Sequence, residues 1–139
     1  IMTSNLGSEY ILDNLDNAHE LVMDELRRTF KPEFINRIDE IIVFKSLTKD
    51  VIYEILDKII HDIEKRLSDK QLHIVLTDKA KTYIVENSYD ERYGARPIKR
   101  FVTKTVENLI ANEIINNDVK FGSTITIDVN DNLYIQKID

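Results

Sequence analysis

The sequence predicts an α+β protein, because segments with helical spacing of apolar residues alternate with short segments in which every second residue is apolar. The longest helical pattern covers residues 52–67, and the clearest alternating segment covers residues 124–129. From Leu47 onward the predicted order is helix, strand, helix, helix, strand, strand. This order is typical of a compact unit in which helices pack on a small sheet.

The first 46 residues carry fewer regular signals. Residues 1–5 are expected to end a strand that runs into a turn at residues 6–8, which we take as the cut edge of a longer protein. An apolar stripe predicts a helix over residues 18–30, and Pro32 should close it because the residue before proline is kept out of the helical region. The apolar run at residues 40–44 is expected to form a short buried strand, although its periodicity also allows a helical piece.

Two threonines mark predicted helix starts in the second part of the chain. Thr48 is a good N-cap, and Leu47 and Ile52 have the spacing of a hydrophobic staple. Thr77 caps a shorter predicted helix, which follows an alternating segment over residues 72–76. These capping residues fix the beginnings of both helices.

The last part of the chain predicts one long helix and a β-hairpin. Pro97 fits the first helical turn, because the N–H that it lacks needs no intrahelical partner there. Arg96, directly before it, should be held extended. Helical spacing continues to about Asn116. The strand at residues 124–129 is followed by turn residues 130–132 and a partner strand.

Composition excludes several classes of function. The 139 residues carry a net charge of −6, so no overall positive field favours nucleic acid or an anionic membrane. No cysteine occurs, which excludes disulfides and thiolate metal sites. No apolar run approaches the roughly 20 residues that a membrane span needs. We therefore expect neither nucleic acid nor a membrane as a partner.

Common catalytic and metal-binding motifs are missing from the sequence. His19, His61 and His73 lack the spacing of metal ligands and are expected at the surface or in packing contacts. The sequence has no G-x-S-x-G nucleophile elbow and no G-x-x-x-x-G-K-[ST] phosphate loop. The chain therefore cannot hold a triphosphate in that way alone.

One apparent calcium-binding motif is better explained as turn chemistry. Asp128, Asn130 and Asn132 copy the first three ligand positions of an EF-hand loop. Leu133 stands where that loop needs glycine, and Asp139 stands where it needs a bidentate glutamate. Because the context is a predicted hairpin rather than two helices, no metal is expected here.

A basic cluster surrounds the second proline. Four positive charges lie within nine residues of this acidic chain: Arg92, Arg96, Lys99 and Arg100. Cations at a helix N-terminus oppose the helix dipole, whereas an anion there is stabilised by the free N–H groups. The carboxylates of Asp90 and Glu91 offer a simpler interpretation, in which they satisfy these charges at a solvated surface. The charges alone favour that simpler interpretation.

Arg37 is a second candidate, because it lies among apolar residues just before the predicted strand at residues 40–44. Its simplest interpretation is a local ion pair with Glu33, Asp39 or Glu40, usually worth under about 1 kcal/mol when exposed. From the residues alone, this interpretation is again favoured.

Three successive segments resemble signatures of the Clp family of AAA+ ATPases. They are TSNLGS at residues 3–8, PEFINRIDE at residues 32–40 and YGARPIKR at residues 93–100. They occur in the family's order and span essentially the whole chain. The TSNLGS form, with ELVMDELRRTF before PEFINRID, is more similar to the ClpB-type disaggregases than to the protease-linked ClpC type.

The resemblance implies roles for three polar residues. Asn5 would be the sensor-1 residue, which positions the attacking water near the γ-phosphate. Arg37 would be the arginine finger, which reaches into the nucleotide site of the neighbouring subunit. Arg96 would be the sensor-2 arginine, which contacts the phosphates of its own subunit's nucleotide. Such roles suit planar arginines, because phosphoryl transfer depends mainly on positioning and charge stabilisation.

The resemblance also implies a domain organisation and a set of ligands. Residues 1–46 would end the large AAA+ α/β subdomain, and residues 47–139 would form the small α+β lid subdomain with its C-terminal β-hairpin. In the intact parent, ATP and Mg²⁺ would be bound and their hydrolysis coupled to ring movement. The chain alone is expected to be inactive as an ATPase, because it lacks the phosphate loop.

The implied partners are identical subunits in a homohexamer, misfolded or aggregated polypeptide clients and, through parts outside this chain, a DnaK-type chaperone. The implied location is the cytoplasm or an organelle of bacterial ancestry. Two other functions stay open at this level. One is a non-catalytic interaction or oligomerisation module that keeps the lid fold, and the other is the unfoldase subunit of a Clp protease.

Overall fold

The computed structural model describes residues 1–13, 16–90, 92–117 and 119–139, which fall into two units, Ile1–Ser46 and Leu47–Asp139. The described helices of the first unit are three: α1 (Ser8–Leu12), α2 (Ala18–Thr29) and α3 (Pro32–Ile35). No helix among the described residues is long and apolar enough to cross a membrane.

The helix predicted near residue 18 is confirmed as α2, and its apolar stripe buries Val22. Phe30 and Lys31 after it are extended, with ψ of 145° and 148°, so the chain leaves the helix before Pro32 as expected. The turn predicted at residues 6–8 is also confirmed. Gly7 has a φ of +70°, and a Cβ there would lie 3.0 Å from Cγ2 of Val22.

Two strand predictions in the first unit are wrong. Residues 1–5 form no strand, and residues 40–44 have no regular secondary structure. The predicted burial is also wrong, since Ile42 and Phe44 are 66% and 80% exposed and Ile41 and Val43 are only half-buried. A strand also needs a neighbour for its backbone hydrogen bonds, and the three strands that the structure describes all lie in Leu47–Asp139.

The second unit confirms the predicted order of elements. Its helices and strands are α4 (Lys49–Arg66), β1 (His73–Leu76), α5 (Asp78–Ser88), α6 (Arg96–Val102), α7 (Asn108–Asn116), β2 (Thr124–Val129) and β3 (Leu133–Ile138). Both predicted caps form. Oγ1 of Thr48 accepts a hydrogen bond from the N–H of Val51 at 3.5 Å, and Oγ1 of Thr77 accepts one from the N–H of Ala80 at 3.2 Å.

The sheet has the strand order β1-β2-β3. Strand β1 pairs with β2 in parallel, and β2 pairs with β3 antiparallel. A parallel pair needs a long crossover, and here α5, α6 and α7 supply it. The predicted hairpin joins β2 to β3, with an irregular register between Thr126 and Ile127. The core lies where α4, α5, α6 and β2 meet, and Leu56, Ile84, Ile98 and Ile125 in these elements are fully buried.

The long helix predicted up to Asn116 is interrupted. Residues Thr103–Glu107 between α6 and α7 form a wider π turn. Oγ1 of Thr105 donates to the carbonyl of Phe101 at 2.7 Å, the kind of side-chain bond that competes with helical geometry. The π turn keeps both Val102 and Val106 fully buried.

Candidate functional site

The loop between α5 and α6 carries the GAR segment and folds as a closed turn. After α5, Tyr89 is extended, and the next residues turn back so that Asp90 and Gly94 form an isolated β-bridge. The N–H of Tyr93 donates to the carbonyl of Asp90 at 3.0 Å. Gly94 has a φ of +63°, a left-handed conformation that favours glycine. The chain enters α6 two residues later.

The expectation that Arg96 is extended is wrong, because the structure makes it the first residue of α6, with Pro97 second. Ala95 is already near helical geometry, with φ −86° and ψ −4°. Burial of Ile98 fixes the first turn. Proline costs no helical hydrogen bond there, since the first N–H groups have no intrahelical partner.

Arg92 is tied to Asp90 by three hydrogen bonds. The backbone N–H and Nε of Arg92 donate to Oδ1 at 2.9 and 3.1 Å, and Nη2 donates to Oδ2 at 2.9 Å. These bonds, the side-chain ones first, hold the pKa of Asp90 below its usual range, and the same pairing raises the pKa of Arg92. The Arg92 guanidinium also lies 5.6 Å from the centre of the Tyr93 ring.

The other three cations of the cluster behave differently. Arg96, Lys99 and Arg100 are exposed, and none forms an ion pair with a described residue. The simpler interpretation therefore holds for Arg92, because the carboxylate of Asp90 neutralises its charge. Glu91, the second acid of that interpretation, lies outside the described residues. The first turn of α6 contains no acidic side chain. Arg96 thus presents a charged guanidinium that the described part of the chain leaves uncompensated.

Arg37 lies on a turn directly after α3. Its backbone N–H donates to the carbonyl of Phe34 at 3.1 Å, and the ring of Phe34 stacks on that of Phe30 with centroids 4.8 Å apart. The side chain of Arg37 is exposed. The local ion pairs expected with three acids do not form, although all three are among the described residues: Glu33, Asp39 and Glu40.

Asn5 lies just before the Gly7 turn. Its carbonyl accepts a hydrogen bond from the N–H of Ser8 at 3.2 Å, and its side chain is exposed. Within the described residues of Ile1–Ser46, no hydrogen bond or ion pair joins Asn5 to Arg37. Arg96 belongs to the second unit. The structure therefore describes three exposed polar side chains: Asn5 and Arg37 lie in or next to short turns, and Arg96 is the first residue of α6.

The other polar clusters do not form a metal site, since the described residues contain no group of three metal-ligating side chains in reach of one ion. All three histidines are exposed, as predicted. Nδ1 of His61 and of His73 lie 3.2 and 3.9 Å from the carboxylate oxygens of Glu64, beside a shallow groove of about 230 Å³. Asp128, set aside above as a calcium ligand, accepts a hydrogen bond from Thr77 instead.

Sequence reasoning named Asp90 as an acid that could neutralise the cluster, but it missed the turn that Asp90 closes. The available signal was an aspartate two residues before an arginine, since an aspartate side chain often accepts a hydrogen bond from the backbone N–H two residues on. That spacing is common, so it points to a turn without specifying its partner. Only the structure shows that the same carboxylate also holds the guanidinium of Arg92.

Two family comparisons cover most of the chain. Residues 47–127 match the family described as the C-terminal, D2-small domain, of ClpB protein. Residues 1–41 match the AAA domain of the Cdc48 subfamily. The two matches fall in the two structural units.

Individual proteins give the same result. The chain is 45% identical over 139 residues to the chaperone protein ClpB of Bacillus cereus, covering 95% of this chain but 16% of that protein. It resembles an S. cerevisiae Hsp104–ADP complex with a TM-score of 0.82 at 33% identity, covering 94% of this chain and 23% of that one. It also resembles closed-state Hsp104 with ATPγS and FITC-casein, with a TM-score of 0.79 at 31% identity, covering 99% and 24%.

Proposed function

Because the chain belongs to the ClpB family, we propose that it is the nucleotide-sensing and lid part of an ATP-dependent AAA+ chaperone that remodels aggregated proteins. The chain spans about a sixth of the length of the ClpB relatives it matches. The activity of the whole protein is therefore part of the proposal. Its support is the order of three signature segments together with the two family matches.

The observation that carries the proposal is the state of Arg96. Its guanidinium is exposed, has no ion pair among the described residues and stands at the start of a helix without an acidic first turn. A guanidinium matches phosphate oxygens in a planar, two-pronged geometry. We assign Arg96 to the phosphates of the nucleotide in its own subunit, so that the lid responds to whether ATP or ADP is bound.

Asn5 and Arg37 take the other two roles. The exposed amide of Asn5 can orient a water molecule for attack on the γ-phosphate. The exposed guanidinium of Arg37, free of the acids around it, can reach the site of a neighbouring subunit and stabilise the charge of the transition state. Bound Mg²⁺ would neutralise phosphate charge, and residues outside this chain would hold it.

The partners follow from these roles. A finger that acts on a neighbour requires a ring of identical subunits, which we propose to be a homohexamer. The Hsp104 structure with casein supports a polypeptide client, which we take to be misfolded or aggregated protein during stress. We propose a cytoplasmic location, or an organelle of bacterial ancestry, and cooperation with a DnaK-type chaperone through other parts of the full-length protein.

The test replaces Arg96 in the full-length protein. A charge-assisted hydrogen bond is strong enough that Arg96→Ala should weaken ATP binding, slow turnover, or both, by roughly ten- to a hundredfold. Lys99→Ala is the matched control, because Lys99 is also exposed on the same helix and forms no ion pair with a described residue, and it should have little effect.

Two outcomes would contradict the assignment. Unchanged nucleotide affinity and turnover in Arg96→Ala would make Arg96 an ordinary surface charge. If circular dichroism showed that the same substitution unfolds the 139-residue chain, Arg96 would be a structural residue. We expect the melting temperature of that chain to stay nearly constant, since Arg96 is exposed.

A further inference from the structure

We propose that Asp90 is a positioning residue, which holds Arg92 in a closed turn and thereby sets the direction of Arg96 towards the nucleotide phosphates. This inference rests on the function proposed above, in which Arg96 contacts phosphate. The Asp90–Arg92 pair, with its three hydrogen bonds, is called the clasp below.

The clasp lies between two points of the chain that packing and hydrogen bonds hold in place. On one side the N–H of Tyr89 donates to the carbonyl of Val85 at 2.8 Å, which fixes the end of α5. On the other side Ile98 is fully buried in the core. Ile98 holds the chain on the C-terminal side of Arg96, and the turn that closes through Asp90 holds it on the N-terminal side, so we infer that both set the direction of Arg96.

Asp90 closes the turn through three kinds of contact. Its carbonyl accepts from the N–H of Tyr93, and its backbone bridges to Gly94. Its Oδ1 atom accepts from the backbone N–H of Arg92, an Asx turn. Both of its carboxylate oxygens then accept from the guanidinium of Arg92.

The clasp also makes Arg92 different from Arg96, because it pairs the charge of Arg92 alone among the described residues of the cluster. The guanidinium of Arg92 is occupied by the carboxylate of Asp90 and by the face of the Tyr93 ring. Arg96, four residues later, has no such partner among the described residues. The hydrogen bonds from Arg92 lower the pKa of Asp90, so its carboxylate is charged at neutral pH and can accept them. An incoming phosphate thus meets Arg96 without competition from Arg92.

A purely structural role does not fit the exposure of the pair. The side chain of Arg92 is 72% exposed and that of Asp90 is 33% exposed, and ion pairs in contact with solvent stabilise folds very little. The core of Leu47–Asp139 includes neither residue. Loss of the clasp should therefore leave the fold intact and loosen the turn, which is the signature of positioning.

Two substitutions in the full-length protein separate the parts of the clasp. Asp90→Asn keeps an oxygen for the Asx turn but removes the charge, whereas Asp90→Ala removes both. We expect Asp90→Ala to weaken binding of a fluorescent ADP analogue by roughly three- to tenfold, as for one lost hydrogen bond. Asp90→Asn should fall between Asp90→Ala and the unsubstituted protein.

The decisive measurement is the double variant Asp90→Ala/Arg96→Ala. If Asp90 works through Arg96, the double variant should bind no more weakly than Arg96→Ala alone. Asp57→Ala is the matched control, because Asp57 forms an exposed ion pair with Lys81 in the same unit, and it should leave affinity unchanged.

The possible failures are distinguishable. If Arg96→Ala itself has no effect, the proposed function fails. If Arg96→Ala weakens binding but neither Asp90 variant does, the positioning role is overturned while the proposed function stands. The positioning role would likewise be overturned if Asp90→Ala lowered the affinity by the same factor in the protein with Arg96 and in the Arg96→Ala variant. Asp90 would then act independently of Arg96. If Asp90→Ala does not fold, Asp90→Asn combined with Arg96→Ala decides by the same comparison.

Discussion

The two units of the chain differ in how they hold their functional side chains. The described residues of Ile1–Ser46 bury one hydrophobic side chain, that of Val22, whereas Leu47–Asp139 contains an extended core. We call Ile1–Ser46 the sparse unit and Leu47–Asp139 the dense unit. Asn5 and Arg37 belong to the sparse unit and are held by turns. Arg96 starts a helix whose next residues reach into the dense core. Changes at the sparse unit's polar residues should therefore affect activity alone, and core changes in the dense unit should affect stability.

The largest effect expected from this comparison is on turnover, from Arg37→Ala. Arginine fingers contribute about 10³–10⁵-fold to hydrolysis in related NTPases, and we expect a loss approaching that size in the full-length ring. Because Arg37 is exposed and unpaired among the described residues, urea unfolding of the 139-residue chain should not change. Phosphate release and urea titration measure the two quantities.

A mixing experiment establishes whether Arg37 acts on a neighbour. Arg37→Ala subunits, which still bind ATP, are combined with subunits that keep Arg37 but cannot bind nucleotide. Hydrolysis should return at the interfaces that join the two kinds. Absence of recovery at every mixing ratio, with ring assembly verified, would exclude a role in trans.

The next effect is on stability, and it compares a buried side chain of the dense unit with the buried side chain of the sparse unit. Leu56 in α4 is fully buried, so Leu56→Ala should lower the free energy of unfolding by about 2–5 kcal/mol. Val22→Ala removes two methyl groups from the sparse unit, which corresponds to about 1.6 kcal/mol of apolar transfer free energy. We expect it to leave the main unfolding transition unchanged in urea titrations followed by circular dichroism. A Val22→Ala shift as large as that of Leu56→Ala would show that the sparse unit is as well packed as the dense one.

The same comparison shows where sequence reasoning works. In the dense unit, Thr48 and Thr77 cap the helices predicted for them, and the alternating segment at residues 124–129 forms a strand. These signals are local, because a cap or an alternating face needs only its nearest neighbours in sequence. The α+β fold class and the C-terminal hairpin follow from them.

The failures involve contacts that a sequence pattern does not contain. Residues 40–44 form the apolar run typical of a buried strand, but they have no strand beside them among the described residues, and Ile42 and Phe44 are exposed. Arg96 enters the helix early because Ile98 is buried, an effect of tertiary packing. For the candidate site, the residues alone favoured neutralised charges. Among the described residues of the cluster, the structure finds that pairing at Arg92 only. The roles of Asn5, Arg37 and Arg96 stay predictions.

The smallest expected effect is a pH dependence within the dense unit. Thr77 caps α5 and also donates from Oγ1 to Oδ1 of Asp128 in β2 at 2.5 Å, so one hydroxyl joins two elements that lie far apart in sequence. This bond first, and a backbone bond from Val129 second, lower the pKa of Asp128. A group whose pKa is lower in the folded state stabilises the fold above its unfolded pKa, near pH 4. That contribution is lost as the pH falls through the folded pKa.

Asp128→Asn should therefore melt at a lower temperature than the unsubstituted chain at pH 7, by a few degrees at most because the carboxylate is only half-buried. The difference should shrink as the pH is lowered below 4, since the native carboxylate then becomes neutral as well. Asp131→Asn is the matched control, because Asp131 lies in the same hairpin, and its side chain forms no hydrogen bond among the described residues. A difference between Asp128→Asn and the unsubstituted chain that stays constant from pH 7 to pH 3 would mean that the charge of Asp128 does not stabilise the fold. The bond from Thr77 would then act only as a neutral link between α5 and β2.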